Sequence, residues 1–174
     1  MDDTTIRTAV TVWLSDSTAA TATYGHISTW DTGGVTDMES LFDVDYNSGA
    51  ASFNEDIGAW DTSSVTTMQY TFYGAETFNQ DLGGWAVDSV TDMSAMFFGA
   101  SAFNQDISGW VVDGVLDMSG MFNGASAFNQ DLGWCVGDDV NPSFPGTPCA
   151  STSCGVVQMD LSLIHISEPT RLQD

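Results

Sequence analysis

The sequence predicts a repeat solenoid of stacked 25-residue coils, with short parallel β-strands and one helical turn in each coil. The main observation is a sequence motif that occurs four times, as FNEDIGAW, FNQDLGGW, FNQDISGW and FNQDLGW, and that we call the repeated phrase. The residues of a catalytic site normally occur once in a chain. Gly, Ser, Thr and Asp separate the apolar residues, and these residues favour corners over long helices. The phrase begins every 25 residues, at Phe53, Phe78, Phe103 and Phe128.

Other apolar positions keep the same register and predict internal ladders. Equivalent residues of stacked coils lie about 4.8 Å apart, the spacing of neighbouring β-strands. The stretch after each Met, such as SAMFFGA, predicts the helical turn, which Gly99 ends. The ladders are Ile57, Leu82, Ile107 and Leu132; Val65, Val90 and Val115; Met68, Met93 and Met118; and Phe72, Phe97 and Phe122.

Two further ladders carry polar atoms. The Asn that follows each Phe predicts a ladder whose amides bond the backbone at the corner of the next coil. The Trp ladder is either an exposed stripe for stacking on sugars or partner side chains, or one more core ladder. Its position three residues after a core Ile or Leu favours the core. The two sets are Asn54, Asn79, Asn104 and Asn129, and Trp60, Trp85 and Trp110.

The Asp of each phrase is the candidate metal ligand. Aligned carboxylates roughly 5 Å apart repel one another, and a Ca²⁺ ion that bridges neighbours would relieve the repulsion. The alternative, which we favour, is that each Asp caps a turn through backbone N–H groups. We therefore expect no cofactor beyond weak Ca²⁺ at Asp56, Asp81, Asp106 and Asp131. A second register favours turn caps more strongly, at Asp37, Asp92 and Asp117, with Thr67 interrupting it.

The chain divides into four segments. Residues 1–23 are an N-terminal capping region, and residues 24–134 form a solenoid of about five coils. The link DVDYNSG after the first coil carries five extra residues and predicts a bulging loop. Residues 135–157, rich in Cys, Gly and Pro, predict an irregular cap, and 158–174 form a tail in which 162–174 resembles a translated sequencing adapter. Within the first segment, 4–14 predicts a helix whose apolar face holds Ile6, Ala9, Val10, Trp13 and Leu14.

The three cysteines lie after the repeats, at positions 135, 149 and 154. CASTSC is spaced to close a small disulfide loop, with Cys135 unpaired or paired to either of the others. The paired Cys and His ligands of a zinc site are missing from this spacing.

The charge balance excludes two classes of partner. The chain carries 24 acidic residues against two arginines and no lysine, a formal net charge of −22. Nucleic acids and anionic membranes are bound through Lys and Arg patches, and no apolar run reaches the roughly 20 residues that span a bilayer. Such a charge suits salt water or the outside of a cell, where ions screen the self-repulsion. Asp2 and Asp3 stand where a signal peptide carries positive charge, so we expect a mature or truncated fragment, or a cytosolic protein.

Repeats of the form FNQDISGW…V.DMSGMFNGASA resemble the BspA-type leucine-rich-repeat surface proteins, whose commonest domain was long catalogued as one of unknown function. The resemblance covers about residues 4–157 and rests on W-D-T-S-x-V-T-x-M, M-F-x-G-A and F-N-Q-D. It implies a leucine-rich-repeat-like solenoid, displayed on a cell surface or secreted, with adhesion as the usual role. The family brings no catalytic residues. Two copies depart from its pattern, with AVDS after Trp85 and VVDG after Trp110.

Three functions are compatible with these observations. The first, which we favour, is a non-catalytic adhesion or recognition protein outside the cell, with an unknown protein or glycan ligand. The second is a structural unit that associates end to end into a filament or coat. The third, an enzyme acting on polysaccharides, is disfavoured because the sequence shows no Ser–His–Asp set, no phosphate-binding loop and no basic residue in the repeats.

Overall fold

The computed structural model describes residues 1–136 and 157–158. The predicted disulfide between Cys149 and Cys154, most of the 135–157 cap and the 162–174 segment lie outside these residues. Among the described residues, no helix is long and apolar enough to cross a membrane.

Two helices open the chain, α1 (Asp3–Ser15) and α2 (Ser17–Tyr24). Both begin at an aspartate cap: the Asp2 carboxylate accepts from the Thr5 N–H at 2.8 Å, and Asp16 accepts two N–H groups of α2 at 3.0 Å. Helix α1 lies where the sequence predicts a helix. Its buried face consists of Ile6, Ala9, Val10 and Trp13, while Leu14 is only half-buried.

Helix α1 also closes the free edge of the first repeat. In later repeats, the N–H of the residue after the core Val donates to the repeat before it, as Thr66 does to the Thr36 carbonyl at 2.9 Å. Thr36 has no preceding repeat, and its N–H and hydroxyl donate to the Asp3 carboxylate at 2.7 and 2.9 Å. The Asp37 N–H donates to the same carboxylate at 3.1 Å. Asp3 therefore supplies the acceptors that a missing repeat would have supplied.

The hydrogen bonds of Asp3 predict that wild type and Asp3→Ala differ in stability by an amount that depends on pH. The hydrogen bond from the Thr36 N–H holds the pKa of the Asp3 carboxyl below its ordinary value. A depressed carboxyl pKa stabilises the fold above the unfolded-state pKa of about 4, and this contribution is lost as the pH falls through the folded-state pKa. We expect Asp3→Ala to lower the free energy of unfolding by about 0.5 to 1 kcal/mol at pH 7, because solvent screens the carboxylate.

Urea unfolding of wild type and Asp3→Ala between pH 2 and pH 7 measures this difference. The pH-dependent contributions of the other carboxylates are common to both chains and cancel when one free energy of unfolding is subtracted from the other. The expected difference shrinks below about pH 4. Asp88→Ala, at an exposed aspartate, is the control and should show no such trend. A difference between wild type and Asp3→Ala that does not change with pH would contradict the assignment.

The core consists of two interleaved rows of phenylalanine rings. In the row of the repeated phrase, successive centroids lie 5.7, 6.2 and 5.9 Å apart, with nearly parallel planes, from Phe53 through Phe78 and Phe103 to Phe128. The second row is formed by Phe42, Phe72, Phe97 and Phe122, spaced 5.4, 5.4 and 5.7 Å. The rows touch, as between Phe97 and Phe103 at 3.9 Å. Each repeat thus contributes two stacked rings to one continuous core.

Repeats are joined by every second backbone N–H of the segment after Met. The N–H groups of Met68, Tyr70, Phe72 and Gly74 donate to carbonyls of the next repeat, at 2.9, 3.0, 2.8 and 2.7 Å. The N–H groups of Thr71, Tyr73 and Ala75, which alternate with these, donate to the carbonyl three residues earlier in their own repeat. The segment is therefore a run of linked turns in which half of the donors bond within the repeat and half bond across.

The prediction of a leucine-rich-repeat-like solenoid with short parallel β-strands and one helical turn per coil is wrong. In the described residues, the repeats contain no β-strand and only isolated parallel bridges, between Asp37 and Thr67, Thr67 and Asp92, and Asp92 and Asp117. The backbone N–H groups bond alternately within a repeat and to the next repeat, and this pattern requires successive turns. The turns place Ser40, Tyr70 and Ala95 at positive φ, which neither a strand nor a right-handed helix contains. After α2, the described residues form two 3₁₀ helices, Ile27–Thr29 and Ser48–Ser52, and two paired strands, β1 (Cys135–Val136) and β2 (Val157–Gln158).

Candidate functional site

The asparagines bond the next repeat, together with a glutamine that the sequence interpretation did not include. The Asn54 side-chain oxygen accepts from the Asn79 N–H and from the Gln80 side-chain amide, both at 2.9 Å. The same pair of bonds joins Asn79 to Asn104 and Gln105, and Asn104 to Asn129 and Gln130. The repeated sequence contains a signal for this pairing: Gln follows Asn in the later three copies, whereas Glu55 follows it in the first. The repeat before the first copy, YGHISTW, has no asparagine at the equivalent position to which a glutamine could bond.

The tryptophans belong to the core. Their side chains are 3–5% exposed, and neighbouring rings stack at 5.9 to 6.4 Å, as between Trp60 and Trp85. The indole N–H groups of Trp60, Trp85 and Trp110 donate to carbonyls of the preceding repeat, those of Ile27, Ile57 and Leu82, at 2.9 to 3.1 Å. The arrangement excludes an exposed stacking stripe at Trp60, Trp85 and Trp110.

The aspartates of the repeated phrase act as turn caps. One carboxylate oxygen accepts from the N–H two residues later, with donors Gly58, Gly83 and Ser108 at 2.8 to 3.0 Å; the acceptors are Asp56, Asp81 and Asp106. Asp131 is exposed. The second register is used in the same way by Asp37, Asp92 and Asp117, whose acceptor distances are 2.7 to 2.8 Å. Most of the polar side-chain atoms that recur in the repeats therefore bond to the backbone.

Weak Ca²⁺ binding by Asp56, Asp81, Asp106 and Asp131 stays a prediction. Within the described part of the chain, no group of three or more His, Cys, Asp or Glu is arranged to hold a metal ion. We expect NaCl to raise the melting temperature through screening, and CaCl₂ at equal ionic strength to do little better. Tight stoichiometric Ca²⁺ in a calorimetric titration would contradict this expectation.

The candidate site is a pair of adjoining hollows beside the 43–49 insertion, where the repeat pattern is broken. The larger hollow, about 470 Å³, lies between α1 and the insertion, and the smaller, about 280 Å³, lies between the insertion and the second repeat. Glu39, Ser40 and Tyr46 line both. Tyr46 is 78% exposed, so its ring is available to a ligand.

One cation lies in the larger hollow. Arg7 forms an ion pair with Asp37 at 2.8 Å and donates to the Glu39 backbone carbonyl at 2.5 Å. Arg7 is the single Arg or Lys of the described residues. The other carboxylates of the two hollows form no ion pair with it in the described part of the chain.

The smaller hollow combines aromatic rings with carboxylates. The rings of Tyr70 and Tyr73 stand edge to face, with centroids 5.7 Å apart and planes at 70°. Asp43, 5% exposed, accepts from the Asp45 N–H at 2.9 Å, and burial raises the pKa of its carboxyl. A buried carboxylate beside aromatic faces is suited to bind a group that offers positive charge or hydrogen-bond donors.

The sequence interpretation missed this site because its residues come from three separated segments: α1, residues 37–47 and the turns after Met68. The insertion was identified only as a bulging loop. One signal was available, since the chain has four tyrosines and three of them line these hollows, at positions 46, 70 and 73. None of them belongs to a repeated ladder.

A family model described as "Mycoplasma protein of unknown function, DUF285" matches residues 14–134. No curated protein and no solved structure matches the chain. The matched range includes all four copies of the repeated phrase and ends at Trp134, the last tryptophan of the ladder. Because the match covers well over half of its length, the chain belongs to the DUF285 family.

Proposed function

We propose that this protein is a non-catalytic recognition protein of the BspA type, displayed on a cell surface or secreted, which binds a protein or glycan ligand. The likeness of its repeats to BspA-type surface proteins supports the location and the role. The net charge of −22 supports a medium of high ionic strength and disfavours nucleic acid as a partner.

The observation that carries the proposal is the contrast between the repeats and the insertion. The Asn, Gln, Trp and Asp groups that recur are bonded to the backbone of the repeat array. The hollows beside residues 43–49 also include side chains of the insertion, which the other repeats lack, among them the exposed Tyr46. The repeats are therefore assigned as a scaffold, and the insertion as the contact surface.

The test is binding of labelled protein to an array of glycans and an array of peptides. We expect wild type to bind members of one array, and Tyr46→Ala to lose that binding while keeping the wild-type melting temperature, because Tyr46 is largely exposed. Leu116→Ala, which alters another exposed residue outside both hollows, is the matched control and should bind as wild type does.

Three results would contradict the proposal. Equal binding by wild type and Tyr46→Ala would place the contact elsewhere. Breakdown of a bound polysaccharide, detected by mass spectrometry, would make the protein an enzyme. A molar mass that grows with concentration in light scattering, with no ligand bound, would favour an end-to-end assembly.

A further inference from the structure

The smaller hollow beside the insertion holds more negative charge than its own surroundings neutralise. Three of its side chains are carboxylates, at Glu39, Asp43 and Asp45, and none is cationic. The one ion pair of the described residues lies outside it, between Arg7 and Asp37. Since a carboxylate only accepts hydrogen bonds, this hollow offers acceptors and negative charge to whatever enters.

Aromatic rings complete the hollow. Tyr70 and Tyr73 form a corner, because their planes meet at 70°, and Tyr46 adds an exposed ring from the insertion. Phe98 stacks on Tyr73 at 4.8 Å and supports that wall. The face of an aromatic ring attracts a cation through its quadrupole, and the attraction grows where water is excluded.

We propose that this hollow binds the ammonium group of a lysine side chain on a partner polypeptide, with the tyrosine rings around its methylene stem. The inference rests on the proposed recognition function and specifies its ligand. A lysine fits better than an arginine because three carboxylates line the hollow and a compact ammonium can be shared among them, whereas a guanidinium is matched by one carboxylate in a two-point contact. A neutral glycan would leave the three carboxylates uncompensated. The volume, about 280 Å³, is sufficient for an alkylammonium chain.

Two blocked peptides that differ in one group test the inference. Acetyl-Gly-Lys-Gly-amide carries the ammonium, and acetyl-Gly-norleucine-Gly-amide has a side chain of similar length without it. Binding is followed by NMR titration at physiological ionic strength, where screening limits attraction to the overall charge. We expect Kd to be about tenfold lower for the lysine peptide, with the signals of Tyr46, Tyr70 and Tyr73 moving.

Variants separate the hollow from the net charge. Glu39→Gln with Asp45→Asn, and Tyr46→Ala, should each weaken lysine-peptide binding about fivefold or more. Glu76→Gln with Asp88→Asn removes the same charge at exposed positions outside the hollow and should leave Kd unchanged. Tyr46→Phe keeps the ring and should bind as wild type does.

Equal affinity for the lysine and norleucine peptides would overturn the inference, as would equal weakening by the two double variants. A neutral oligosaccharide that moves the same tyrosine signals while the lysine peptide is inert would also overturn it, but would leave the recognition function standing. If neither the peptides nor the arrays of glycans and peptides bind, both the inference and the proposed function fail.

Discussion

Phe103→Ala is expected to lower the free energy of unfolding by about 3 to 5 kcal/mol, the largest effect of any substitution considered for this chain. The Phe103 ring is fully buried and stacks between Phe78 and Phe128, with Phe97 3.9 Å away in the second row. Removing it leaves a cavity that the neighbouring repeats cannot fill, because their spacing is fixed by backbone hydrogen bonds. Urea unfolding monitored by circular dichroism measures the loss.

Phe98→Ala is the matched control, since Phe98 is half-buried and outside both rows. Its loss should cost well under half as much, because it opens no internal cavity. Similar losses for Phe98→Ala and Phe103→Ala would contradict the assignment of the Phe103 row as the continuous core.

Asn79→Ala is expected to cost about 1 to 3 kcal/mol, because it removes an acceptor shared by two donors of the next repeat. The Asn104 N–H and the Gln105 amide both lie 2.9 Å from the Asn79 side-chain oxygen. Neither donor has another acceptor at that distance except the Asn79 backbone carbonyl, which Gln105 also contacts at 2.9 Å. The free energy of unfolding from urea titration measures the effect.

Two variants isolate the role of the oxygen. Asn79→Asp keeps an acceptor at the same place and should retain most of the stability at pH 7. Asn123→Ala removes a half-buried amide whose side chain forms no hydrogen bond with the residues that the structure describes, and it should cost less than about 0.5 kcal/mol. A loss in Asn79→Asp as large as in Asn79→Ala would show that the amide nitrogen, rather than the oxygen, matters.

The sequence by itself determined the period and the inward side chains. Phe, Trp, Ile and Met recur every 25 residues because each repeat must bury the same positions against its neighbours, and burial leaves a direct signature in composition. Helix α1 was also readable, since the spacing of Ile6, Val10 and Trp13 follows the helical turn and Asp2 precedes it as a cap.

Only the tertiary structure decided which carbonyl groups accept the hydrogen bonds of the backbone N–H groups. Side-chain spacing does not distinguish a strand from a run of turns whose alternate N–H groups cross to the next repeat, because both leave the same residues inside. The turns need positive φ at the second residue after each Met, and that position is occupied by Gly in one repeat alone, at Gly120, while Ser40, Tyr70 and Ala95 occupy it elsewhere. The glycine that usually indicates such a turn is therefore missing from three of the four repeats.

The hollows at the insertion were decided in the same way. Tyr46 lines the larger hollow with Arg7 and the smaller one with Tyr70, because α1 covers the first repeat and the 43–49 loop bulges beside the second. No spacing in the sequence encodes that meeting, since the three segments are brought together by the stacking of repeats and not by local periodicity. The repeated residues follow from the burial of each repeat against its neighbours, and the candidate site follows from how the repeats are placed against α1.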